Sequence, residues 1–168
     1  MITDELRLSL QQYIEDNYIV VSSPTPDYIP DVDATKDGKD VFSKKETFAL
    51  DQLIAEVGES FHDMLFLRID MSGMTDVEVY KRANIDRKLF SKIRSNPAYH
   101  PRKNTVLALA IALKLNLDDT IDLLARAEYA LSPGSKGDLI VKYFIERGIY
   151  DIMTINFALD EYGQQILE

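Results

Sequence analysis

MTDVEVYKRANIDRKLFSKIRSN, residues 74–96, is the stretch whose reading decides the fold. Thr75 caps a short helix and places Asp76 and Glu78 at its positive end. Asn84 follows, the non-glycine residue best suited to a left-handed turn. Asp86 caps a second short helix, RKLFSKIR. Phe90 and Ile93, three apart, give that helix one buried face, and Ile85 enters the core just after the turn. Arg87, Lys88, Ser91 and Lys92 then point to solvent. Two short helices joined by a three- to four-residue turn, the second one basic, describe a helix-turn-helix.

The charge pattern singles out the same stretch. The 168-residue chain is acidic, with 28 Asp and Glu against 19 Lys and Arg, a net charge of -9. Resolved by segment, residues 73–104 carry eight bases (Lys81, Arg82, Arg87, Lys88, Lys92, Arg94, Arg102, Lys103) and three acids. A basic island of net +5 therefore sits in a chain that is -14 elsewhere. Such an island is either a solvated face or a surface for phosphates. The acidity around it confines any nucleic-acid contact to residues 81–103.

Outward from this motif, the pattern predicts a mostly α chain. Thr3 caps a first helix carrying Leu6, Leu10, Tyr13 and Ile14 at helical spacing. Residues 22–45 hold three of the six prolines and read as a loop or tether. Leu50, Leu53, Ile54, Val57, Phe61 and Leu65 form a second stripe, weakened by Gly58. Residues 60–71 are amphipathic. TVLALAIALKL (105–115) is apolar on nearly every face, as in a helix buried in a small bundle or at a dimer interface. Asn116 turns the chain, and Asp118 and Asp119 start a helix through Ala127. LSPGSKG (131–137) breaks it. DLIVKYFIER (138–147) is helical and stopped by Gly148. Asp151 or Thr154 caps a last helix through Tyr162. This gives an N-terminal helical arm and proline-rich loop (1–59), a central domain (60–130) and a C-terminal helical extension (131–168).

Several classes are excluded or weak. The chain has no Cys, which removes disulfides, thiolate metal sites and cysteine nucleophiles. That fits a reducing cytoplasm. The longest apolar run, Val106–Leu113, is too short to span a membrane. The N-terminus begins acidic and lacks a signal pattern, so the expected location is cytoplasmic. GSK (134–136) lacks the upstream glycine of a phosphate loop, and there is no G-x-S-x-G elbow. His62 and His100 are isolated, so no metal or other cofactor is expected. Asp31, Asp33 and Asp37 suggest a carboxylate cluster, but no strand fixes them, and a tether is the better reading. Lys36 and Lys44 break a calcium loop there. Tyr80 and Tyr99 suit core or rim packing better than base stacking. The expectation is a non-enzyme.

Residues 60–127 resemble a lambda-repressor-like (Xre/Cro-type) five-helix DNA-binding domain. The match lies in residues 74–96 as quoted above and in TVLALAIALKLNLDDTIDLLARA (105–127). The resemblance implies a homodimer that reads double-stranded DNA with residues 87–94 in the major groove. Arg87, Lys88 and Lys92 would then face bases, with Leu89 against a thymine methyl. Arg94, Arg102 and Lys103 would meet phosphates, and Ser91, Lys81 and Arg82 complete the candidate DNA-binding set. The chain departs from the family at Tyr80 (usually Ala), Asn84 (usually Gly), Asp76 (often Gln) and Arg94 (commonly Glu). Asp76 would repel a phosphate. The same stretch, continued through KGDLIVKYFIERGIYDIMTINFAL (136–159), is similar to a C-terminal module of low-GC Gram-positive bacteria and their mobile elements. That module is sometimes joined to macro domains. The expected function is a transcriptional regulator of a phage, prophage or defence locus. The alternative is a protein-interaction module that kept the scaffold and lost DNA readout, such as a defence-system adaptor or inhibitor. Asp76, Tyr80 and the acidic flanks favour it.

Overall fold

The computed structural model describes residues 2–20 and 60–167. Among them are eight α-helices and no strand. They are α1 (Asp4–Asn17), α2 (Phe61–Ser72), α3 (Asp76–Arg82), α4 (Arg87–Ser95), α5 (Lys103–Ala112), α6 (Leu117–Arg126), α7 (Lys136–Glu146) and α8 (Ile152–Glu161). The expectation of a mostly α chain is met. The proline-rich residues 22–45, the stripe through Leu50, Leu53, Ile54 and Val57, and Asp31, Asp33 and Asp37 lie outside the described residues.

Side-chain caps start most of these helices. Thr3, Ser60, Thr75, Asp86, Asn116, Ser135 and Asp151 each accept a hydrogen bond from a first-turn amide. Such a cap satisfies a donor that would otherwise lack a partner. Thr75 and Glu78 form a reciprocal capping box. Only α5 has no side-chain cap, with Arg102 at its N-cap position. Left-handed residues end several helices: Gly73 at φ 67°, Asn84 at 54° and Gly148 at 67°. The turn after α5 differs from the sequence expectation. Lys114, at φ 54°, takes the left-handed position, and Asn116 instead caps α6. The amides of Lys114 and Leu115 return to the carbonyls of Ile111 and Ala110, which closes the helix two residues before Asn116.

α5 is the centre of the core. Thr105 through Ala112 are all buried, as its all-round apolar pattern requires. It packs on α3, α6 and α8, while α2 packs on α6 and α3 on α4. α7 joins α6 to α8 and receives α1. The helix expected as an N-terminal arm thus belongs to the same compact unit as residues 60–167. Leu10 and Ile14 of α1 are buried. Tyr13 meets Tyr143 edge-on, with ring centroids 5.2 Å apart. Its hydroxyl donates to Glu146 at 2.8 Å. At the far end, buried Asn156 brackets Leu167, donating to its carbonyl at 3.0 Å and accepting from its amide at 2.8 Å. No helix among the described residues is long and apolar enough to cross a membrane.

Candidate nucleic-acid interface

The residues 83–86 that join α3 to α4 fix how the two helices meet. Ala83 and Ile85 are buried, and the Ile85 amide donates to the Tyr80 carbonyl at 3.0 Å. Asp86 then opens α4 by accepting from the Lys88 amide at 2.6 Å. Phe90 and Ile93 turn inward, 3% and 1% exposed. Phe90 lies against Phe66 and Tyr80 at ring distances of 6.2 and 6.0 Å. The opposite face of α4 presents Arg87, Lys88, Ser91 and Lys92 to solvent. Lys92 sits over the Tyr99 ring at 4.3 Å, which holds its ammonium near the end of the helix. Leu89 is half-buried.

Between α3 and α4 lies a cavity of about 310 Å³. Val77, Tyr80 and Phe90 give it apolar walls, and Arg87, Asp76 and Arg94 line its polar side. Asp76 does not stand free at its mouth. Its carboxylate pairs with the Arg94 guanidinium at 3.0 Å. That guanidinium also lies 4.5 Å from the Phe66 ring centroid, and the Arg94 carbonyl contacts His62 Nε2 at 3.0 Å. The remaining acid of α3, Glu78, is turned back into its own cap. Bonds from the Thr75 amide and hydroxyl hold its carboxyl below the usual range.

The other candidate residues separate into distinct settings. Lys103 is half-buried, and its ammonium donates at 2.5 Å to Asp138, which is itself buried. Asp138 also accepts from the Ser132 amide at 2.8 Å, so this pair links the start of α5 to the start of α7. Arg102 is exposed. Lys81 and Arg82 are exposed too, but they line a different groove, shared with Lys114 and Tyr150. The two cavities have no lining residue in common. Four candidates thus share the α4 face, while Arg94 and Lys103 are occupied by carboxylates of the same chain. Sequence reasoning missed Lys114, because it follows an apolar run and belongs to no basic cluster along the chain. Among the described residues, no group of three His, Cys, Asp or Glu side chains could hold a metal ion. Comparison with known proteins finds no matching family model, and no curated protein or solved structure of significant similarity.

Proposed function

We propose that this chain binds double-stranded DNA through the outward face of α4 and acts as a transcriptional regulator. α2 to α6 would form a lambda-repressor-like unit that presents α4 to the major groove, and two copies would read paired half-sites. One observation carries this reading: Arg87, Lys88, Ser91 and Lys92 stand exposed together on one face of α4. Guanidinium and ammonium groups so placed reach guanine edges or phosphates. Asp76, the acid expected to repel the backbone, has its charge offset by Arg94. Exposed Arg102 adds a cation at the start of α5.

The experiment is a duplex titration at several salt concentrations. Binding should weaken as salt rises, by about 0.9 in log–log slope for each phosphate contacted. The double variant Arg87→Ala/Lys88→Ala should lose binding while keeping its helical content and Tm. Unchanged, salt-dependent binding by that variant overturns the reading.

A second reading, a protein-interaction module, is favoured by the apolar walls of the α3–α4 cavity. Val77 there is 46% exposed, and it stands beside Tyr80 and Phe90 where a partner side chain could dock. This reading predicts no affinity for random duplex even at low salt.

A further inference from the structure

Three cations from two separate segments line one groove. Lys81 and Arg82 end α3, and Lys114 follows α5. The groove has a volume of about 540 Å³, within the range of small-ligand sites. Among the described residues, none of the three makes an ion pair or a side-chain hydrogen bond. Arg82 has Glu78 one turn earlier, and its charge helps hold that carboxyl low, whereas Lys81 and Lys114 have no such acid among the described residues. Like charges lining one hollow repel one another, and an anion relieves that. The rest of the lining is suited to more than a simple ion. Buried Ile111 and Ile152 supply apolar surface. Tyr150 adds an aromatic wall, with its ring fixed by a hydrogen bond from its hydroxyl to the Leu115 carbonyl at 2.9 Å. The one acid in the lining, Asp151, is occupied in capping α8, accepting from the Thr154 amide and hydroxyl.

The backbone at Lys114 points the same way. Six described residues have positive φ: three are glycines and one is Asn84. The other two are Glu128 and Lys114. Long side chains are disfavoured in this conformation, where glycine costs nothing. Glu128 has a contact to show for it, with its carboxylate 3.8 Å from His100. Lys114 has none within the described residues, and it lines the groove.

We infer that this groove is a binding site for a nucleoside polyphosphate, with the phosphates held by Lys81, Arg82 and Lys114 and the base against Tyr150 and the apolar floor. The site stands apart from the α4 face, and it does not depend on DNA binding. Lys81 and Arg82 are the last residues of α3, so a ligand here touches the helix that leads into the turn before α4.

The test is titration of the full chain with ATP, pyrophosphate and adenosine, followed by calorimetry and amide chemical shifts. ATP and pyrophosphate should shift the amides of Lys81, Arg82, Lys114 and Gly148, with ATP binding the tighter, and adenosine alone should bind far more weakly. Lys114→Gly suits the left-handed backbone, so it should fold with an unchanged or higher Tm. It should nonetheless lower ATP affinity by about tenfold, as expected on losing one charge-assisted contact. Arg87→Ala/Lys88→Ala should bind ATP as the parent does. Three results would each overturn the assignment: no shifts at millimolar ATP, shifts confined to α4, or full affinity in Lys114→Gly. Pyrophosphate binding as tightly as ATP would overturn the place given to the base.

Discussion

Asp76, in the first turn of α3, and Arg94, in the last turn of α4, are joined by an ion pair of 3.0 Å. Each charge sits at the helix end it favours, an anion at an N-terminus and a cation at a C-terminus. Arg94 is pinned further by the Phe66 ring at 4.5 Å. The pair therefore acts on both stability and surface charge. It removes one cation from the α4 surface and offsets a carboxylate that would oppose a phosphate there.

Asp76→Ala should release that cation. Stability should fall by about 0.2–1 kcal/mol, the range for a half-exposed pair. Affinity for random duplex at low salt should rise, because Asp76 is gone and Arg94 is free to meet a phosphate. Tm and a duplex titration on the same sample check both parts, and a fall in affinity would contradict the argument.

Lys103 should behave as a structural residue. Its partner Asp138 is buried, and Lys103→Met leaves that carboxylate with the Ser132 amide alone. Removing one member of a buried pair costs about 3–5 kcal/mol, and partial exposure of Lys103 places this one at or below the low end. Urea unfolding reads the loss. At a temperature where the variant is folded, duplex affinity should match the parent.

Asn84 tests the turn between α3 and α4. At φ 54° a β-branched residue is strained, so Asn84→Val should cost about 1–2 kcal/mol. Asn84→Gly, with no such penalty, should stay close to the parent. Equal stability of the two variants in urea would show that the left-handed backbone is not what the position requires.

Tyr13 makes stability sensitive to alkali. Burial first, then the hydrogen bond and negative charge of Glu146, push its phenol from the usual value near 10 up to about 12. The folded state therefore keeps a proton that the unfolded state releases. The associated stabilisation is complete below pH 10 and is lost as pH rises towards 12. Tyr13→Phe has no such proton. Its stability should fall less than the parent's between about pH 9 and about pH 11 in urea titrations. Tyrosinate absorbance should show one fewer late-titrating phenol in the variant.

Much of the helical framework was legible in the sequence because its causes are local. A capping side chain acts within three residues, and Thr3, Thr75, Asp86 and Asp151 start helices where their positions predict. The exposed set Arg87, Lys88, Ser91 and Lys92 follows from the spacing of Phe90 and Ile93. Asn84 adopts the left-handed conformation its short polar side chain tolerates, and Gly148 the one its lack of a Cβ permits. Where tertiary packing overrode the local preference, the outcome was not legible. Lys114, not Asn116, became the turn residue after α5, where the amides of Lys114 and Leu115 close the carbonyls of Ile111 and Ala110.

What the sequence by itself determined is where helices start, which faces they bury and which residues stand in solvent. These are set by periodicity and by side chains that reach only one turn. The tertiary structure alone decided which cations remain free. Arg94 is matched by Asp76 from the preceding helix, and Lys103 by Asp138 from α7. Lys81 and Arg82 are brought to Lys114 instead of to the α4 face. Charge pairing acts through distances of a few ångströms between elements far apart along the chain. The eight bases within residues 73–104 are therefore one block in sequence and several unlike environments in the folded molecule.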